Sequence, residues 1–154
     1  MSMESDGPAV DEAVRDLLLL IPRLVGRAKR LPVPQALQGM DLAPRHLALM
    51  AHLEYDGPTS VNELAARLEV APTTVSLMVG DLSRLGVLER TVDPADRRRR
   101  VVAIAPAYTA PISEWLSGSA SAWEHVMRGL APAERATVVA ALRAYEDALE
   151  QKIR

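Results

Sequence analysis

Ser60–Ile104 reads SVNELAARLEVAPTTVSLMVGDLSRLGVLERTVDPADRRRRVVAI, and its punctuation decides the fold. Ser60 followed three residues later by Glu63 fits a capping box, so a helix starts there. Val61, Leu64, Ala65 and Leu68 recur at i, i+3, i+4 and i+7, the apolar stripe of a short helix. Glu69-Val70-Ala71 is long enough only for a turn. Pro72 suits the first position of a second helix, where an N–H would lack an intrahelical partner anyway. That helix carries Val75, Met78, Val79, Leu82 and Leu85 on one stripe, and Gly86 stands where a left-handed residue closes it. Val87–Val92 and Arg100–Ile104 are β-rich runs separated by the turn-forming Asp93-Pro94-Ala95-Asp96.

The spacing therefore predicts two short helices joined by a tight turn, then a β-hairpin tipped with arginine: a helix-turn-helix with a wing. The second helix turns Thr73, Thr74, Ser76, Leu77, Gly80, Asp81 and Arg84 outward. Small polar side chains near a helix N-terminus can reach base edges and phosphates in a major groove. Arg97, Arg98, Arg99 and Arg100 follow the hairpin turn directly. Arginine on a projecting hairpin suits phosphates or a narrow minor groove, although such a run can also be no more than a solvated tip.

Glu63-Leu64-Ala65, Thr74-Val75-Ser76, Leu82, Leu85-Gly86-Val87-Leu88-Glu89-Arg90 and Asp93-Pro94-Ala95-Asp96-Arg97-Arg98 together resemble the MarR family of bacterial transcriptional regulators. The resemblance is strong over about residues 43–104 and looser over the flanking helices. It implies that the helix Pro72–Leu85 enters the major groove. It also implies that Asp96 braces the wing tip while Arg98 reaches the minor groove, with Arg97 and Arg99 on phosphates. Asp96 as a simple turn-former is the plainer reading of that residue. Two positions depart from the family. Leu77 stands where relatives often carry arginine, and Asp81 where a basic residue is common. Leu77 either touches a thymine methyl or is a partly buried core residue. Gly80 costs roughly 1 kcal/mol of helix propensity and permits close approach to DNA or another helix.

Composition narrows the classes further. There is no cysteine, so disulfides, thiolate metal sites and the cysteine-based oxidant sensing found in some relatives are excluded. Phenylalanine is absent too, which leaves Leu, Val, Ala and Met to form the core. The net charge of −2 argues against a general nucleic-acid coat, but cations concentrate between Arg84 and Arg100. The apolar run Leu17–Ile21 lies between Asp16 and Arg23, far short of the ~20 residues of a membrane span. A soluble, cytoplasmic protein with no membrane partner is expected.

Taken in order, residues 1–8 are expected to be a disordered tail. Residues 9–42 are read as an N-terminal helix (about Val10 to Arg30) and linker, 43–105 as the winged helix-turn-helix, and 106–154 as two C-terminal helices. Pro22 should kink or break the first of these helices. Ala105 and Tyr108 replace the usual family Thr and Gly, so the helix after the wing starts somewhere between Pro106 and Ile112. The flanking helices carry apolar stripes too long for one small winged domain to cover. Folding back on the same core is one solution; burial against a second copy is the other, and in the family these helices form the dimer interface. A homodimer would set two recognition helices ~34 Å apart and favour a palindromic site. The fold expected is mostly α with a small β-hairpin, a winged helix-turn-helix between N- and C-terminal dimerisation helices.

Catalysis has no support in the sequence: HExxH, a Gly-rich phosphate loop and a nucleophile elbow are all missing. Glu63 reads as a cap. His46 and His52, six residues apart on one helix, point about 120° apart, which is wrong for a shared metal. No metal or cofactor is expected. By resemblance, a small lipophilic or aromatic effector could sit between the dimer helices and the winged domain, with Arg15, His46, His52, Tyr108 and Trp115 as candidate lining residues. Each also reads as an ordinary packing or surface residue. Double-stranded DNA is the expected partner, in a repressor released by the effector. A winged helix reused for protein–protein contact, its DNA binding lost, is the rival, and Leu77 and Asp81 favour it.

Overall fold

Ser60 caps its helix as its spacing requires, and the reading unit is built outward from that point. The Glu63 N–H donates to Ser60 Oγ at 3.3 Å and the Ser60 N–H donates to a Glu63 carboxylate oxygen at 3.4 Å, the reciprocal pair of a capping box. In the computed structural model, which describes residues 7–154, the elements run α1 (Val10–Ala28), a single 3-10 turn (Gln35–Leu37), α2 (Pro44–Asp56), α3 (Val61–Leu68), α4 (Pro72–Arg84), β1 (Leu88–Val92), β2 (Arg100–Ile104), α5 (Pro106–Arg128) and α6 (Pro132–Ile153). Most of the tail expected over residues 1–8, namely residues 1–6, lies outside the described residues. Among the described residues, no helix is long and apolar enough to cross a membrane.

The winged helix-turn-helix and hairpin are present as expected. α3 leaves through Glu69, a left-handed residue with φ of 54°, and the Val70 N–H donates back to the Ala65 carbonyl at 3.1 Å. A non-glycine residue in that region is uncommon, and the sequence carries no sign of it. Gly86 closes α4 at φ of 76°, and the Val87 N–H then donates to the Leu82 carbonyl at 2.9 Å. Leu85 departs from the expected stripe: it follows the last turn of α4, where the chain swings away at Gly86, and its side chain is exposed.

β1 and β2 pair antiparallel, Leu88 opposite Ile104 and Val92 opposite Arg100. Thr59, just before α3, extends this ladder: its N–H donates to the Val102 carbonyl at 3.2 Å and its carbonyl accepts from the Val102 N–H at 2.8 Å. The start of α3 is thereby tied to the root of the wing. Beneath lies one core of Leu37, Leu49, Met50, Leu53, Leu64, Val75, Met78, Val79, Leu82, Val87, Leu88, Val102 and Ile112, aliphatic apart from its methionines. The 3-10 turn lies within the segment expected to be a linker, and it delivers Leu37 to that core.

The flanking helices behave differently. α1 runs unbroken through Pro22, so the expected break does not occur, although the ring removes the bond to the Leu18 carbonyl and crowds that oxygen. α5 starts at Pro106 and buries Ile112 alone, while α1 and α6 bury nothing. Leu17, Leu18, Leu24 and Val25 of α1, Trp123 and Val126 of α5, and Val139, Leu142 and Tyr145 of α6 all remain exposed. The fold-back alternative would have covered these faces and does not.

Candidate nucleic-acid interface

α4 presents one apolar face inward and the other to solvent, and the division follows its 3.6-residue period. Val75, Met78, Val79 and Leu82 are buried. Thr73, Thr74, Ser76, Leu77, Asp81 and Arg84 are exposed. Leu77 is 71% exposed, which removes the core reading of that residue and leaves an apolar side chain on the open surface. Gly80 has no neighbour closer than 3.9 Å to where a Cβ would lie, so no close approach within this chain demands it. Asp81 is not an isolated acid, because the Arg84 guanidinium pairs with its carboxylate one helical turn away.

The wing tip is built on two aspartates. The Ala95 N–H donates to Asp93 Oδ1 at 2.9 Å and the Arg98 N–H donates to Asp96 Oδ1 at 3.0 Å, two Asx-type turns in succession. The Asp93 N–H reaches the Arg99 carbonyl at 2.9 Å and the Arg99 N–H reaches the Asp96 carbonyl at 2.9 Å, closing the loop. Arg97 and Arg98 are exposed and, among the described residues, pair with no carboxylate.

Arg99 is placed differently from its neighbours. Its guanidinium donates to Asp93 Oδ2 at 3.1 Å and also to the Glu63 carboxylate. Glu63 therefore takes hydrogen bonds from the Thr59 hydroxyl, the Ser60 N–H and Arg99. The Thr59 hydroxyl above all holds its carboxyl below the usual carboxylate range; burial opposes it, and the Ser60 N–H and the positive charges of Arg99 and Arg67 add smaller downward pulls. A cap was all that its sequence position announced. Nothing in the run of four arginines tells which one turns inward.

The five residues expected at an effector site lie apart from two clefts, one between α1 and α5 and one between the end of α3 and α6. Arg15 is exposed beside Asp16. His52 Nδ1 lies 3.1 Å from Asp56, which also accepts from Arg67 at 3.0 Å. The His52 hydrogen bond, ahead of the charge of Arg67, lowers the Asp56 carboxyl. Tyr108 and Trp115 are half-buried against the core. A cleft of about 330 Å³ opens between α1 and α5, lined by Leu24, Arg27, Leu31, Gly118, Trp123 and Val126. A second groove lies between the end of α3 and α6. None of the five residues lines either. No three His, Asp or Glu side chains converge in a metal-binding arrangement among the described residues.

His46 is 6% exposed and starts α2: its Nδ1 accepts the Ala43 N–H at 3.0 Å. Burial pushes its pKa below 6.5, with Arg45 adding to the shift and Asp81 and Asp41 opposing it. Protonating Nδ1 would also break the cap. The folded pKa is depressed, so the unfolded chain takes up the proton first as the pH falls. His46 then favours folding fully above about pH 6.5 and progressively less as acid approaches its folded pKa. In thermal melts the midpoint should fall more between about pH 7 and pH 5 for the native chain than for His46→Gln, whose amide keeps an acceptor for the cap. Parallel curves would show that His46 contributes nothing to acid sensitivity.

Residues 39–99 match the MarR family model. Over 93 residues the chain is 30% identical to the HTH-type transcriptional repressor MdtR of Bacillus subtilis, an alignment covering 58% of this chain and 57% of that protein. The chain thus spans little more than half the length of that relative. Among solved structures it resembles RV1404 of Mycobacterium tuberculosis at 23% identity, covering 94% of this chain and 97% of the other with a TM-score of 0.63. It also resembles S. aureus MepR in its DNA-binding conformation, at 19% identity, 88% and 98% coverage and a TM-score of 0.62. MepR bound to ethidium bromide superposes at 20% identity, 86% and 95% coverage and a TM-score of 0.52.

Proposed function

We propose that this chain, whose residues 39–99 match the MarR family model, is a transcriptional regulator of that family that binds double-stranded DNA as a homodimer. The observation that carries this reading is the pairing of two surfaces. One is the exposed polar face of α4 with Thr73, Thr74 and Ser76; the other is a wing that leaves Arg97 and Arg98 without carboxylate partners. α4 lies in the major groove, Arg98 reaches the minor groove, and Arg97 neutralises phosphate. Two copies joined through α1, α5 and α6 present two such units to a palindromic site. The Asp81–Arg84 pair supports DNA binding over the protein-contact alternative, since it offsets the acid that would repel phosphate.

The chain acts as a repressor, and a small lipophilic or aromatic effector releases it by changing the spacing of the two recognition helices. Support for the effector is kinship alone: MepR has been solved with ethidium bromide bound.

A gel shift with the DNA upstream of its own gene tests the reading. Binding should weaken steeply with salt as counterions are released, and Arg98→Ala should lower affinity on every sequence while reducing the salt slope by about 0.9. Thr74→Ala should instead change sequence preference, with about 1–3 kcal/mol of discrimination lost at one base pair. No shift at low salt would reject DNA binding, and a uniform loss from Thr74→Ala would reject base reading.

A further inference from the structure

We propose that Arg99 is a positioning residue, a strut that ties the wing to the start of α3 through Glu63 and so sets the wing's angle to the recognition helix, rather than a phosphate contact. This rests on the DNA-binding reading for its functional consequence, but the strut is a property of the free protein. Three observations converge on it. Arg99 is the one wing-tip arginine whose guanidinium is engaged among the described residues, and it is engaged twice, by Asp93 on its own hairpin and by Glu63 on α3. Asp93 is largely withdrawn from solvent, its side chain 17% exposed, so its charge is turned inward toward this pair and not toward a ligand. Finally, Glu63 is itself immobilised by the Thr59 hydroxyl and the Ser60 N–H, and Thr59 is buried and hydrogen-bonded in both directions to Val102 at the wing's root.

A hairpin held only at its root pivots about that root. The Thr59–Val102 ladder is such a hinge. Arg99, three residues nearer the tip than Val102, adds a second attachment between the wing and the start of α3, and two attachments remove the pivot. An arginine suits this because its planar fork reaches two carboxylates with little further loss of freedom. Turning Arg99 to a phosphate would uncover two acids beside a polyanion, which is the wrong electrostatics for a DNA contact.

The test compares Arg99→Ala, Glu63→Gln and their double variant with Arg98→Ala. Glu63→Gln keeps an acceptor for the Ser60 cap and removes the charge. In the free protein, amide hydrogen exchange over residues 93–99 should speed up in both Arg99→Ala and Glu63→Gln and stay native in Arg98→Ala. On duplex DNA each of these two variants should lose about fivefold in affinity, the scale of one exposed ion pair. The double variant should lose no more than either alone. The salt slope should remain native in Arg99→Ala. The strut is overturned if exchange is unchanged in Glu63→Gln, or if Arg99→Ala lowers the slope by about 0.9 while Glu63→Gln binds as well as the native chain. If the native protein shifts no DNA, the function proposed above fails, and the exchange experiment still decides whether the strut exists.

Discussion

Leu18→Glu should convert a dimer into a folded monomer, seen in sedimentation equilibrium as a mass of 16.7 kDa in place of twice that value. Leu18 is 62% exposed on a helix that buries nothing against its own chain. In a lone chain a glutamate there changes stability by only a few tenths of a kcal/mol, because exposed substitutions seldom do more. In a two-fold interface the same carboxylate appears twice, taken out of water without a partner, at a cost of several kcal/mol per ion. The variant should keep its helical circular dichroism and lose the tight binding that depends on engaging two half-sites together. A native chain that already sediments at 16.7 kDa, or a variant that stays paired, would remove the homodimer from the proposed function.

Ile112→Ala should be the most damaging single truncation for the coupling of the C-terminal helices to the winged unit. Ile112 is wholly buried, the one fully buried residue of α5, with Tyr108, Trp115 and Leu116 packed half-buried against the same core. Truncation of a buried isoleucine to alanine costs about 2–5 kcal/mol, the lost transfer energy plus the cavity left behind. For a chain of this size the melting midpoint should drop by roughly 5–15 °C. Ile112→Val should cost about 1 kcal/mol, giving a graded series read by calorimetry. A drop no larger for alanine than for valine would mean that α5 closes over the gap and is not anchored at this point. The two predictions separate cleanly: one perturbs assembly without the fold, the other the fold within each chain.

Where local chemistry decides a feature, the sequence sufficed. The Ser60–Glu63 box, the prolines at the first positions of α2 and α4, the left-handed Gly86 and the Asp-rich hairpin turn each act through neighbours within four residues, and each element begins or ends where those residues say; the start of α5 at Pro106 is fixed only by the structure. The inward stripe of α4 and the outward set Thr73, Thr74 and Ser76 follow from helical period alone.

Other features depend on partners far along the chain and were beyond local reading. Leu77 could have faced either way until the packing of α4 left it in solvent. His46 could have faced a ligand until α2 was seen to fold it over its own first turn. Arg97 to Arg100 are alike as letters. Only the strand register and the placement of α3 beside the wing select Arg99 for Glu63, 36 residues earlier in the chain. Residue type and short spacing thus determined the winged helix-turn-helix and its outward face. Tertiary structure alone decided which charges are already satisfied within the molecule and which are left to meet a partner, because a guanidinium's availability depends on what lies within a few ångströms in space.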